Sequence, residues 1–223
     1  MNKAILISIQ PQHAVNILNG DKTLELRKTV PKDFKGWVYI YCTKGGGLLV
    51  DNTTWINYLI RKGLVEKDYT ESPRFHTLKK LEHLNMTRSV RNTKVVARFW
   101  VDETYYIKQA VNVYGDELNQ ISIYDNKSYG WKVPKEQQEI LKQLCLTEQE
   151  VLDYVKGKEL YAWHIKELEI FDKPLSLNDF YKATLYASGE VVKEYEKQTN
   201  DLTSYRLQKA PQSWQYVYVE ERK

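Results

Sequence analysis

Residues 4 to 28, AILISIQPQHAVNILNGDKTLELRK, constrain the fold more than any other stretch. The run Ala4 to Ile9 is short, apolar and rich in β-formers, with Ser8 embedded, and it predicts a buried central strand ending at Pro11. Ala14, Ile17 and Leu18 follow at i, i+3, i+4 spacing, which gives a helix of about two turns with one buried stripe. Gly20 fits the position just past that helix, where a left-handed backbone costs glycine little. From Leu24 onward the pattern alternates, so Leu24 and Leu26 face one side of a strand while Glu25 and Arg27 share the other. Lys22, Glu25 and Arg27 thus form a charge cluster on a constrained backbone, and it is too polar for packing alone to explain.

Downstream, Pro31 through Gly36 reads as a turn. Trp37 to Thr43 is the clearest strand, with Val38, Ile40 and Cys42 on one face and Trp37, Tyr39 and Tyr41 on the other. Lys44 and the glycines after it lack the GK[ST] ending and the βαβ setting of a phosphate loop, so a flexible strand exit is expected. Asp51 suits the cap of a helix carrying Trp55, Ile56, Leu59 and Ile60, and a short helix is expected around His76 to Leu84. Between Arg61 and Lys94 there are nine Lys/Arg against four Asp/Glu, an excess larger than the +4 net charge of the whole chain. That stretch fits either a solvated face or an insertion facing nucleic acid.

Val95 to Val101 is a second strong strand, with Tyr105 to Lys108 extending it after a bend. Ala110 to Lys132 holds scattered aromatics and turn residues, including YGW at 129 to 131. A helix carrying Ile140, Leu141 and Leu144 follows Pro134. Thr147 with Glu150 is a capping-box signature for a helix carrying Val151, Leu152 and Val155 and stopping at Gly157. Leu160 to Phe171 reads as a strand pair or bent strand ending at Pro174, Leu177 to Leu185 as a short helix, and Ala210 to Val219 as a turn entering a last strand. The expected architecture is α+β: five to seven mostly antiparallel strands in a curved sheet or small barrel, with helices in the connections.

Composition narrows the function classes. At 42% hydrophobic and 28% charged, the chain of 223 residues is that of an ordinary globular protein. No apolar run approaches the roughly 18 residues of a membrane span, so no membrane partner and a cytoplasmic location are expected. Cys42 and Cys145 lie in no metal-ligand spacing, and neither a metal nor a cofactor is expected. The mild basic bias allows a polyanion partner, and 17 Tyr with 6 Trp supply rings on which bases stack, although the same residues are good strand formers.

The segment IQPQHAVNILNGDKTLELRK followed by WVYIYCTK resembles the opening of an ASCH domain, of the PUA-like superfamily. Its hallmark is a G-x-K-x-x-x-x-R pattern at the end of the first helix, here Gly20, Lys22 and Arg27. The likeness continues in VVARFWVD at 95 to 102, YAWHIKELEIFDKPLSLNDF at 161 to 180 and APQSWQYV at 210 to 217. It implies a single PUA-like domain over residues 1–223, a small β-barrel with a helical insertion, its insertions at about 48–94 and 110–158. It also implies a cleft holding the Lys and Arg that accepts RNA or a single nucleobase or nucleotide. Relatives in this superfamily include readers of modified RNA, a ribonuclease and an acetylcytidine amidohydrolase. In the amidohydrolase branch a threonine, the presumed nucleophile, stands three residues after the lysine; here Glu25 stands there, and Thr23 is offset by two.

The leading expectation is an RNA- or nucleotide-binding module. Lys22 suits a phosphate or oxyanion, the Arg27 fork a phosphate or base edge, and Glu25 an exocyclic amine. The bland alternative is that Glu25 and Arg27 merely pair at the surface. Ser8, Tyr41, Lys44, Trp163, Ser213 and Trp214 are the further candidates for lining the nucleic-acid cleft, although Trp163 and Trp214 also suit a barrel core. A hydrolase in the same cleft, acting on a modified base or on RNA, would draw on Lys22 and on Glu25 as general base. A partner-binding scaffold, its cleft filled by side chains, is the third alternative. His164 is either a proton carrier or a histidine bonded to backbone.

Overall fold

Eight consecutive residues, Asn2–Ile9, form β1, and all six from Ala4 onward are buried. A strand with no solvent face must be central. β1 pairs parallel with β3 (Gly36–Cys42) on one side and antiparallel with β10 (Trp214–Val219) on the other. The computed structural model describes residues 2–44, 93–125, 137–183 and 205–220. The expected helices at 51–63 and 76–84, the basic stretch apart from its last two residues, Gly45 to Gly47 and the YGW segment lie outside them.

The chain forms two compact units: residues 1–19, 38–98 and 169–223, and residues 20–37 with 99–168. The first is built on a six-stranded sheet in the order β8-β4-β3-β1-β10-β9, where β4 is Val95–Val101, β8 is Lys166–Leu175 and β9 is Phe180–Lys182. Helix α1 (Pro11–Asn19) starts on proline, whose missing N–H costs nothing there, and buries Pro11, Ala14, Ile17 and Leu18. Gly20 follows at φ 80°, the left-handed stop expected for it. Both faces of β3 are buried, Tyr39 and Tyr41 on one as well as Val38, Ile40 and Cys42 on the other.

This sheet curls. Its two edge strands, β8 and β9, are joined by only Ser176 to Asp179, a span of at most about 19 Å at 3.8 Å per Cα step. A flat six-stranded sheet would hold its edges about 24 Å apart. A cleft of about 650 Å³ opens between those edges, lined by residues of both. Among the described residues the strands lie in two sheets and no ring of strands closes, so the expected barrel is not among them.

The second unit carries the four-stranded antiparallel sheet β2-β7-β5-β6, in which β2 is Leu24–Arg27, β5 Thr104–Val111, β6 Glu117–Asp125 and β7 Leu160–His164. One face bears Leu24, Leu26, Tyr105, Ile107, Ile121, Ile123, Leu160 and Ala162, packed with Ile140 and Leu144 of α2 (Gln137–Leu144) and Val151, Leu152 and Val155 of α3 (Glu148–Val155). The capping box forms as expected: the Glu150 amide donates to Thr147 Oγ1 at 3.2 Å, and the Thr147 amide to Glu150 Oε2 at 2.8 Å.

Three further expectations need correction. Ten strands form among the described residues rather than five to seven. Residues 117 to 125, read as irregular, pair with β5 as a hairpin. The helix expected over Leu177 to Leu185 shrinks to one 3-10 turn, Leu177–Asp179, before β9 takes over, because Tyr181 and Phe180 pair with β10. Among the described residues no helix is long and apolar enough to cross a membrane.

Candidate functional site

Two elements position the charge cluster. Leu24 and Leu26 anchor β2 in the core, which turns Glu25 and Arg27 to the opposite face. Helix α2 fixes Lys22 from the other side. Cys145 takes the left-handed conformation (φ 53°) just past α2; its amide donates to Lys142 O at 3.0 Å, and the Leu146 amide to Leu141 O at 3.2 Å. That is a Schellman closure, and it leaves the last two helix carbonyls open. The Thr23 amide takes Gln143 O at 3.0 Å and Lys22 Nζ takes Leu144 O at 2.8 Å.

From there the three charges run in a line. Lys22 Nζ stands 3.5 Å from Glu25 Oε2, and Arg27 Nη2 stands 2.9 Å from Glu25 Oε1. The side chains are 3%, 6% and 12% exposed, so the pair is not the surface bridge that spacing alone allowed. Glu25 Oε2 is buried and accepts no hydrogen bond among the described residues. It faces the Lys22 ammonium as an ion pair.

Across the sheet, Glu25 is in register with Trp163, which is fully buried and so packs rather than offering a face to a base. His164 lies at the end of β7, its Nδ1 3.2 Å from Asp102 Oδ1, while Lys166 Nζ donates to Asp102 Oδ2 at 2.9 Å. The Lys166 hydrogen bond holds the Asp102 carboxyl below its usual range, against a lesser upward push from burial, and His164 adds to the lowering.

In the first unit the structure brings Ser8, Tyr41 and Trp214 onto neighbouring strands, with Ser213 in the bend just before β10. Ser8 is in register with Tyr41; its Oγ donates to Pro211 O at 2.6 Å and its amide to Ser213 O at 2.8 Å. Ser8 therefore ties the 211–213 turn to the central strand. Trp214 packs edge-on to Tyr216, 5.7 Å between ring centroids. Lys44 is exposed at the end of the described segment.

The cleft at the edges of the six-stranded sheet was not visible in the sequence. Arg98 donates through Nε to Glu169 at 2.7 Å and through Nη1 to Tyr39 Oη at 3.3 Å. Arg206 lies over the Tyr181 ring at 4.5 Å and donates to its hydroxyl at 2.7 Å. Lys173, Asp179 and Glu220 complete the charged lining. These residues come from six separate segments with no spacing in common; the only signal was the isolated Arg98 inside the apolar run VVARFWV.

No protein-family model matches the chain, and no curated protein matches it. Among solved structures it is similar to the ASCH protein of Zymomonas mobilis, with TM-score 0.45 and 13% identity over 96% of this chain and 87% of that one. Two variants of the same protein give TM-scores of 0.42 and 0.44 at 12% and 13% identity, covering 97% and 96% of this chain and 91% and 88% of theirs. These neighbours are ASCH proteins.

Proposed function

We propose that this chain is a binding module of the ASCH type that engages RNA or a nucleotide through the Lys22–Glu25–Arg27 line. The observation that carries the reading is the buried carboxylate held between two cations, one oxygen of which accepts no hydrogen bond among the described residues. Burying three charges is costly, and apolar residues of similar size would stabilise the sheet at least as well. A cluster kept at that cost is a candidate for recognition. Arg27 is the member nearest solvent and offers its planar fork to a phosphate or base edge. Glu25 Oε1 accepts from an exocyclic amine once Arg27 yields, and Lys22, tied to helix α2 and 3.5 Å from Oε2, holds the carboxylate in place. The ordered sequence motifs support the same reading. The hydrolytic alternative has less behind it, since position 25 holds a carboxylate where the amidohydrolase branch places a hydroxyl.

The test is direct binding at low salt, where phosphate contacts contribute most. Single-stranded RNA or a free nucleoside should bind the wild type, and Arg27→Ala should weaken that binding and flatten its salt dependence. Failure of RNA and of every nucleoside to bind at low salt would overturn the proposal.

A further inference from the structure

The face of the four-stranded sheet opposite the helices is not apolar. Register places Arg27 beside Tyr161, Tyr161 beside Tyr106, and Tyr106 beside Tyr124, one residue from each strand in a single row. The ring centroids are 5.4 Å apart for Tyr106 and Tyr161 and 6.3 Å for Tyr106 and Tyr124. All three tyrosines are half-buried, with one part of each side chain packed and another open. Lys108, exposed two residues along β5 on the same face, lies over the Tyr124 ring at 5.3 Å. The Tyr106 hydroxyl is bonded to Glu159, which fixes that ring.

The geometry points to this row as a stacking platform for the bases of a single-stranded nucleic acid, running outward from Arg27. The inference rests on the binding function proposed above and extends the same site across the sheet. Three features favour this occupant. A sheet with helices on one face and a cross-strand row of aromatic side chains on the other is the arrangement that stacks two or three bases in sheet-type RNA readers. Cations stand along the row, Arg27 at its inner end and Lys108 at its outer end, so charge suits a phosphate backbone running beside the rings. The acids close by are already engaged, Glu25 with Arg27 and Lys22, Glu159 with Tyr106. A packing role alone would not require three rings, since any β-branched residue fills a half-buried strand position.

The test measures binding of labelled single-stranded RNA and DNA octamers and of free nucleosides to wild type, Tyr124→Leu, Tyr161→Leu and Tyr124→Phe, each first shown to melt as a folded protein. Each Leu variant should lose about fivefold or more in octamer affinity, as stacked bases do on losing their ring. Tyr124→Phe should stay within about twofold, since the ring and not the hydroxyl does the stacking. Because stacking ignores the 2′-hydroxyl, the loss should appear equally in the RNA and DNA arms. Octamer binding by the wild type that is unchanged in both Leu variants, or a loss confined to one arm, overturns the platform and leaves the binding function standing. A wild type that binds neither octamer nor nucleoside overturns both.

Discussion

Replacing Glu25 with glutamine removes the only anion in the line while leaving its shape. Lys22 and Arg27, 3% and 12% exposed, would then face each other across a neutral amide. Losing one partner of a buried ionic group costs about 3–5 kcal/mol, because the remaining charges stay desolvated. For a chain of this size that corresponds to a fall in melting temperature of roughly 6–20 °C. Urea denaturation followed by the far-ultraviolet signal checks the figure. The companion variant, Lys22→Met with Glu25→Leu and Arg27→Met, removes the whole ionic group and should recover at least half of the loss. The shortfall is the Leu144 carbonyl, uncapped without Lys22, a penalty of about 1–3 kcal/mol. If Glu25→Gln costs less than about 1 kcal/mol, the range of exposed ion pairs, the burial argument is refuted.

Thr147→Ala breaks the capping box of α3 and should cost about 0.5–2 kcal/mol in the same denaturation measurement, with Thr147→Ser restoring most of it. Asp102 makes a pH-dependent contribution. Its carboxyl titrates lower in the folded protein than in the unfolded chain, so its stabilisation is present above the unfolded value and is lost as pH falls through the folded one. Asp102→Asn should therefore show a shallower loss of stability on the acid side than the wild type, and equal slopes would remove the Lys166 and His164 contacts from the account.

What the sequence disclosed was whatever depends on neighbours along the chain. The period of Ala14, Ile17 and Leu18, the left-handed stop at Gly20, the alternation of Leu24 to Arg27 and the Thr147–Glu150 cap all rest on residues within one turn or one strand, and each is present in the structure. Hidden were the features set by pairing between distant segments. β6 reads as a polar loop because only Ile121 and Ile123 are buried along it; the strand exists because β5 is there to pair with it. Tyr39 and Tyr41 alternate with Val38, Ile40 and Cys42, and the alternation alone does not disclose that both faces are buried. The row Tyr161, Tyr106 and Tyr124 has spacings of 55 and 18 residues, and no motif scan joins them.

The charge cluster divides once its partners are known. Lys22 has a sufficient structural reason to exist, since α2 ends with two carbonyls that its Schellman closure cannot reach, and Lys22 satisfies the last of them while placing a cation at the negative end of the helix. Glu25 has a sufficient reason in part, as counter-charge to Lys22 and Arg27. The helix-capping reason does not involve Arg27. A line of Lys22 and Glu25 alone would already be neutral, and an apolar residue at position 27 would continue the strand beside Tyr161 at lower desolvation cost. Arg27 is the most exposed of the three and the one that meets the tyrosine row, so binding should depend on it most.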